Sequence, residues 1–211
     1  SLYRIRKKCL ILDLDNTLWC GIVGEDGVSG IKLGDTYPGL AYRTFQEFIL
    51  ECAKKGVILA LCSKNNMSDV EEVWQKHSSM ILKKKHFSDI KINWNSKVVN
   101  IQEISKDLNI GLNSCVFIDD NPVEREQIKQ MLPDVEVPDF PSNPFELPSF
   151  FIDIWEKYFQ VYKLLDQDLK KTEQYKENVQ RKNQKAKFIS NDDYLKSLDM
   201  QLTFMPVDKY N

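Results

Sequence analysis

The chain has 211 residues, 42% hydrophobic and 11% aromatic, which allows a sizeable core and argues against disorder. A formal charge of −2 gives no general attraction to nucleic acid or to an anionic membrane. No run of about 18 apolar residues occurs, so no membrane span is expected. The basic start SLYRIRKK runs into a strand-like segment and lacks the cleavage site of a signal peptide. Ser1 in place of Met points to a piece of a longer chain. Cysteines number five (Cys9, Cys20, Cys52, Cys62, Cys115), an odd count without a CxxC. His77 and His86 lack ligand spacing. Neither a disulfide framework nor a zinc site is expected, and reduced thiols in the cytoplasm are the default.

In chain order, residues 9–14 (CLILDL) read as a buried strand ending in acids. Residues 19–36 are glycine-rich and predict a hairpin or ordered loop. Ala41, Phe45, Phe48, Ile49 and Cys52 recur at helical spacing, predicting a helix over 39–55 that ends at Gly56. A second buried strand covers 57–62 (VILALC). A helix over 68–77 follows, with Asn66 or Ser68 as its cap. A weak strand lies at 87–93, a helix at 96–108 and a strand at 115–118 (CVFI). Pro122 opens a helix reaching Met131. A short strand, VEV, closes the series at 135–137. PDFPSNPFELPS reads as a linker, residues 149–178 as helical, 192–198 as a short helix and MQLTFMPV as a lone strand.

Strand and helix alternate from residue 9 to 137. That pattern predicts a doubly wound, three-layer α/β/α domain on a parallel sheet, residues 1–140. Residues 141–211 are expected to form a linker and helical extension, and the MQLTFMPV strand either leads toward a further domain or joins the main sheet. In such sheets ligands bind beyond the carboxyl ends of the strands.

Four polar clusters fall there: Asp13-Leu-Asp15-Asn-Thr17, Ser63-Lys64-Asn65, Lys97, and Asp119-Asp120-Asn121. Together they hold the parts of phosphoryl transfer. Asp13 is the candidate nucleophile and Asp15 the acid and base. Asp13, Asp15, Asp119 and Asp120 are the candidate ligands for magnesium, which suits hard oxygen donors. Thr17, Ser63, Lys64, Asn65 and Lys97 are the substrate-binding candidates, with Ser63 and Lys97 on the phosphoryl oxygens.

DLDNTLW, LCSKN, Lys97 and FIDDNP match, in order, the four motifs of the haloacid-dehalogenase (HAD) superfamily over residues 9–125. With GIVGEDG, INWNSK and VERE added, the chain resembles the FkbH-like proteins, which include glyceryltransferase/phosphatase domains of polyketide biosynthesis. The resemblance implies an HAD-like fold with a small loop or hairpin cap. It also implies dephosphorylation of 1,3-bisphosphoglycerate and passage of the glyceryl group, through a cysteine thioester, to an acyl carrier protein. Cys62 precedes Ser63 in an extended strand and is expected to face the helices. Cys20 directly follows DLDNTLW and is the candidate acyl carrier, with a loop residue of no chemical role as the alternative. A plain small-molecule phosphatase and a non-catalytic carrier-binding module are the competing readings.

Overall fold

Alternate residues of each core strand are buried against opposite helical layers, and this divides the interior in two. The computed structural model describes residues 6–160 and 174–181. Its sheet is parallel and four-stranded: β1 (Cys9–Leu12), β2 (Ile58–Ser63), β3 (Asp89–Ile92) and β4 (Cys115–Ile118), in the order β3-β2-β1-β4. Leu10, Leu12, Leu59, Leu61, Val116 and Ile118 face one layer. Cys9, Ile11, Ile58, Ala60, Cys62, Cys115 and Phe117 face the other. Every residue of β1, β2 and β4 is buried, which is why these strands read as continuous apolar runs.

The first layer holds α2 (Gly39–Lys54), α3 (Met67–Lys76) and α6 (Leu147–Ile154); the second holds α4 (Lys97–Leu108) and α5 (Pro122–Met131). The HAD-like three-layer α/β/α fold read from the sequence is the fold observed. The predicted VEV strand is reduced to one bridge, with Glu136 pairing parallel to Val116 beside β4.

Two stretches differ from expectation. The glycine-rich segment is not a hairpin throughout. An antiparallel bridge joins Cys20 to Lys32, but between them lies the short helical α1 (Val23–Gly30), broken at Gly27, where φ is 67°. Val23 is buried, and the Asp26 carboxylate accepts from the Ile22 amide at 2.8 Å, so local hydrogen bonding closes a helical turn where the glycines suggested strands.

The proline-rich stretch is not a linker. Pro144 and Pro148 sit in first turns, where a missing N–H costs nothing, and a helix follows. Leu147, Phe151, Ile154 and Phe159 are buried in the same core as α2. Phe151 meets Phe45 edge-on at 5.5 Å. The packed unit thus continues past residue 140. Of the predicted helix over 149–178, α6, a π-helical turn at Trp155–Phe159 and residues 174–178 of a further helical stretch (174–181) are described. The predicted elements at 192–198 and MQLTFMPV lie outside the described residues.

Candidate active site

β1 carries Asp13 to the carboxyl edge of the sheet, where its amide continues the ladder by donating to the Ile118 carbonyl at 3.0 Å. The chain then leaves the strand through a turn, with the Thr17 and Leu18 amides both donating to the Leu14 carbonyl. That turn brings Asp15 beneath three donors. Its Oδ1 accepts from Trp19 Nε1 and from the Val23 amide, each at 2.9 Å, and its Oδ2 from Asn65 Nδ2 at 2.9 Å. Burial pushes the Asp15 carboxyl above the usual range, while these three hydrogen bonds pull it back.

β2 ends at Ser63, whose Oγ accepts a hydrogen bond from the same Asn65 amide group at 3.2 Å. β4 ends next to Asp119, which is fully buried. α4 begins at a capped turn, the Ser96 hydroxyl accepting from the Val98 amide, and its first residue is Lys97. The Lys97 ammonium is buried 2.5 Å from Asp119 Oδ2 and 3.1 Å from Asp13 Oδ1. Burial alone would depress it, but the two carboxylates raise it above the ordinary lysine range.

The loop after β4 is fastened on three sides. Thr17 Oγ1 accepts from the Asp120 amide at 3.2 Å, and Asp119 Oδ1 accepts from the Asn121 amide at 2.9 Å. The Arg125 guanidinium donates to the carbonyls of Asp119 and Asp120, at 2.9 and 2.6 Å.

Asp13, Asp119 and Asp120 each offer a carboxylate oxygen within 4.8 Å of the others. One lysine does not neutralise three acids. Burial, followed by the charge of Asp13, pushes Asp119 and Asp120 up to about 6. Excess negative charge on converging hard oxygens is the environment a magnesium ion fits. Asp15 is not in this trio; its oxygens accept hydrogen bonds from Trp19, Val23 and Asn65.

The trio opens into a cleft of about 270 Å3 lined by Asp13, Asp15, Ser63, Lys64, Lys97 and Asp120, among others. Lys64 reaches across to an ion pair with Glu124. Trp94, 69% exposed, stands at the rim with its Nε1 donating to Asn66 Oδ1 at 3.0 Å. Its neighbours Asn93, Asn95 and Ser96 are the polar signal in the sequence for this rim position.

Some candidates stand behind the cleft rather than in it. Thr17 is fully buried and holds the Asp120 loop. Asn65 is buried and orients Asp15 and Ser63. Cys20 is half-buried, packs against the core and does not line the cleft. Cys62 is buried on the helical side as expected, its thiol pushed up to about 12, chiefly by burial.

A parallel sheet with these clusters converging at its carboxyl edge has the form of an HAD-type phosphatase domain, with an acidic site that fits magnesium. The chain belongs to the NLI interacting factor-like phosphatase family, whose sequence pattern matches residues 8–184. Among solved structures it is similar to the N-terminal part of protein BF1531 from Bacteroides fragilis, which contains a phosphatase domain and is complexed with Mg. That likeness has 41% identity and a TM-score of 0.68, and covers 70% of this chain and 39% of the other, so this chain spans well under half of that one. Looser likenesses include an uncharacterized protein from Corynebacterium glutamicum, with a TM-score of 0.47 and 10% identity over 74% of this chain and 98% of that one. A HAD family enzyme from Bacteroides thetaiotaomicron, in complex with magnesium and inorganic phosphate, has a TM-score of 0.46 and 12% identity, covering 65% and 96%. No curated protein sequence matches the chain. Among the described residues no helix is long and apolar enough to cross a membrane.

Proposed function

We propose that the chain hydrolyses a small phosphorylated substrate through a phosphoenzyme on Asp13. The observation that carries this reading is the position of Asp13. It faces the cleft, is held by Lys97 at 3.1 Å, and lies beside the Asp119–Asp120 pair. An Asp13 oxygen attacks phosphorus as the bond to the leaving oxygen breaks, and Asp15, whose protonated form burial favours, gives its proton to that oxygen. Asp15 then takes a proton from the water that attacks the phosphoryl group, which frees Asp13 and releases phosphate. Ser63 and Lys97 donate to the phosphoryl oxygens. Magnesium, when bound by Asp13, Asp119 and Asp120, supplies positive charge to the oxygens of the transferring group. Asp13→Asn keeps the shape of the side chain and removes the nucleophile. Turnover of p-nitrophenyl phosphate is expected to fall by at least about 10^3-fold. A drop of less than tenfold would rule out attack by Asp13.

A second reading follows the FkbH-like motifs: the substrate is 1,3-bisphosphoglycerate and the glyceryl group passes through a thioester to an acyl carrier protein. What favours Cys20 as carrier is exposure, since the other four cysteines are buried. Its place outside the cleft lining favours hydrolysis as the main reading. Mass spectrometry of the protein mixed with the acyl phosphate decides between them. A glyceryl adduct on Cys20, lost in Cys20→Ala and passed to carrier protein, supports transfer; phosphate release without an adduct leaves hydrolysis.

A further inference from the structure

At the amino end of β3, the opposite edge of the sheet from the catalytic cleft, lies a cavity of about 600 Å3. It is bounded by residues 84–90 on one side and by the helical stretch 174–181 on the other. The volume is within the range of small-molecule sites. Its walls fall into three chemical zones.

The mouth is cationic. Lys84, Lys85 and Lys176 line it. Lys84 is paired with Glu71 at 2.8 Å. Among the described residues, neither Lys85 nor Lys176 has a carboxylate partner; the Lys176 ammonium donates only to the Lys85 carbonyl, at 3.2 Å. The field of these cations reaches His86, whose imidazole is depressed first by burial and then by Lys85, Lys176, Lys54 and Lys83. In a chain of net charge −2 this is a local reversal of sign.

The middle is apolar, formed by Phe87, Ile90 and Val179. The floor is polar and unsatisfied. Ser88 and Asp89 are each 6% exposed, and among the described residues neither the Ser88 hydroxyl nor Asp89 Oδ2 has a hydrogen-bond partner. The nearest cation to Asp89 Oδ2, Lys91 Nζ, stands 3.9 Å off and is committed to Asp107 at 2.9 Å. Buried polar atoms without partners are rare in folded proteins and costly to leave so. A ligand that fits all three zones carries an anion at one end and hydroxyl groups at the other. The hydroxyls would donate to Asp89 and pair with Ser88, while the anion meets two ammonium groups that lack carboxylate partners.

We propose that this cavity binds a small phosphorylated polyol, with its phosphate at Lys85 and Lys176 and its hydroxyls at Ser88 and Asp89. The site uses none of the catalytic residues, so it does not depend on the hydrolytic reading.

The test is an amide NMR titration of the full Asp13→Asn chain, with magnesium, using glycerol 3-phosphate as probe. The variant suppresses turnover, and residue-resolved shifts separate this cavity from the cleft. Saturable shifts at Ser88, Asp89 and Val179 are expected. The Kd read from them should rise at least tenfold in Lys85→Ala/Lys176→Ala and at least threefold in Ser88→Ala. In the otherwise native chain, neither change should move kcat/KM for p-nitrophenyl phosphate by more than twofold. Glycerol alone should give no shifts. Shifts confined to cleft residues such as Ser63, Lys64 and Asn121, or cavity shifts that persist in the double variant, would overturn the proposal. Binding of inorganic phosphate as tight as that of glycerol 3-phosphate would overturn the polyol assignment.

Discussion

Among the described residues, Lys97 stands between Asp13 and Asp119 as the one cation buried among the site's carboxylates. Two acids held this close would otherwise repel each other where burial limits screening by water. Lys97→Met should therefore cost about 3–5 kcal/mol of stability, because it leaves uncompensated buried charge. Added magnesium should recover part of that loss, since the ion would meet the same carboxylates; chemical denaturation with and without magnesium measures both. A loss of the same size that magnesium does not touch would mean that Lys97 supports the fold and not the metal-binding acids. Asp15 illustrates how much local structure one role requires. Its carboxyl is oriented by Trp19, Val23 and Asn65, from the turn, from α1 and from the loop after β2. The spacing of Asp13 and Asp15 revealed the pair. Asn65 could not be read from it as a partner of Asp15, because a side-chain hydrogen bond across 50 residues leaves no periodic trace.

At the scale of elements, α2 does more than cover the sheet. Gln46 is fully buried in it, donating to the Leu18 carbonyl at 2.7 Å and accepting from the Ile81 and Leu82 amides at 3.0 Å each. One side chain thus ties the helix to the catalytic turn and to the segment after α3. Gln46→Leu keeps the volume roughly and strands three backbone groups, at an expected cost of about 3 kcal/mol or more. Thermal or urea unfolding checks the value, and a change below about 1 kcal/mol would mean that water replaces the amide. In the sequence Gln46 is only a polar residue on a mostly apolar helical face. The core elements were legible because their signals are redundant: β4 (Cys115–Ile118) and α5 (Pro122–Met131) match their predicted bounds, and Gly56, at φ 88°, ends α2 as expected. The segments that misled carry conflicting signals. Gly21, Gly24, Gly27 and Gly30 mask the helical α1, and Pro144 and Pro148 mask α6, though each proline sits where a helix tolerates it.

Over the whole molecule, the sheet gathers four distant segments at one edge and leaves the opposite edge with a separate, cation-rimmed cavity. The catalytic edge also sets a pH dependence. Burial and the charge of Asp13 push Asp119 and Asp120 up to about 6, above the ordinary carboxylate range, so these carboxyls hold protons at pH values where an exposed acid has lost them. Protons and magnesium compete for these oxygens. Magnesium affinity should be near its plateau above pH 7 and fall as pH drops through 6. The loss should approach about 100-fold by pH 5 if both protons must leave. Calorimetric titrations at several pH values check the slope; a flat profile down to pH 5 would remove Asp119 and Asp120 from the ligand set.

A covalent phosphoryl group on residue 13 can be trapped chemically during turnover. Borohydride reduces an aspartyl phosphate to homoserine. After rapid mixing of the protein with magnesium and excess p-nitrophenyl phosphate, borohydride quenching and peptide mass spectrometry should find homoserine at position 13. It should be absent without substrate and in Asp13→Asn. Reduction mapped to another aspartate, or none during active turnover, would contradict the account.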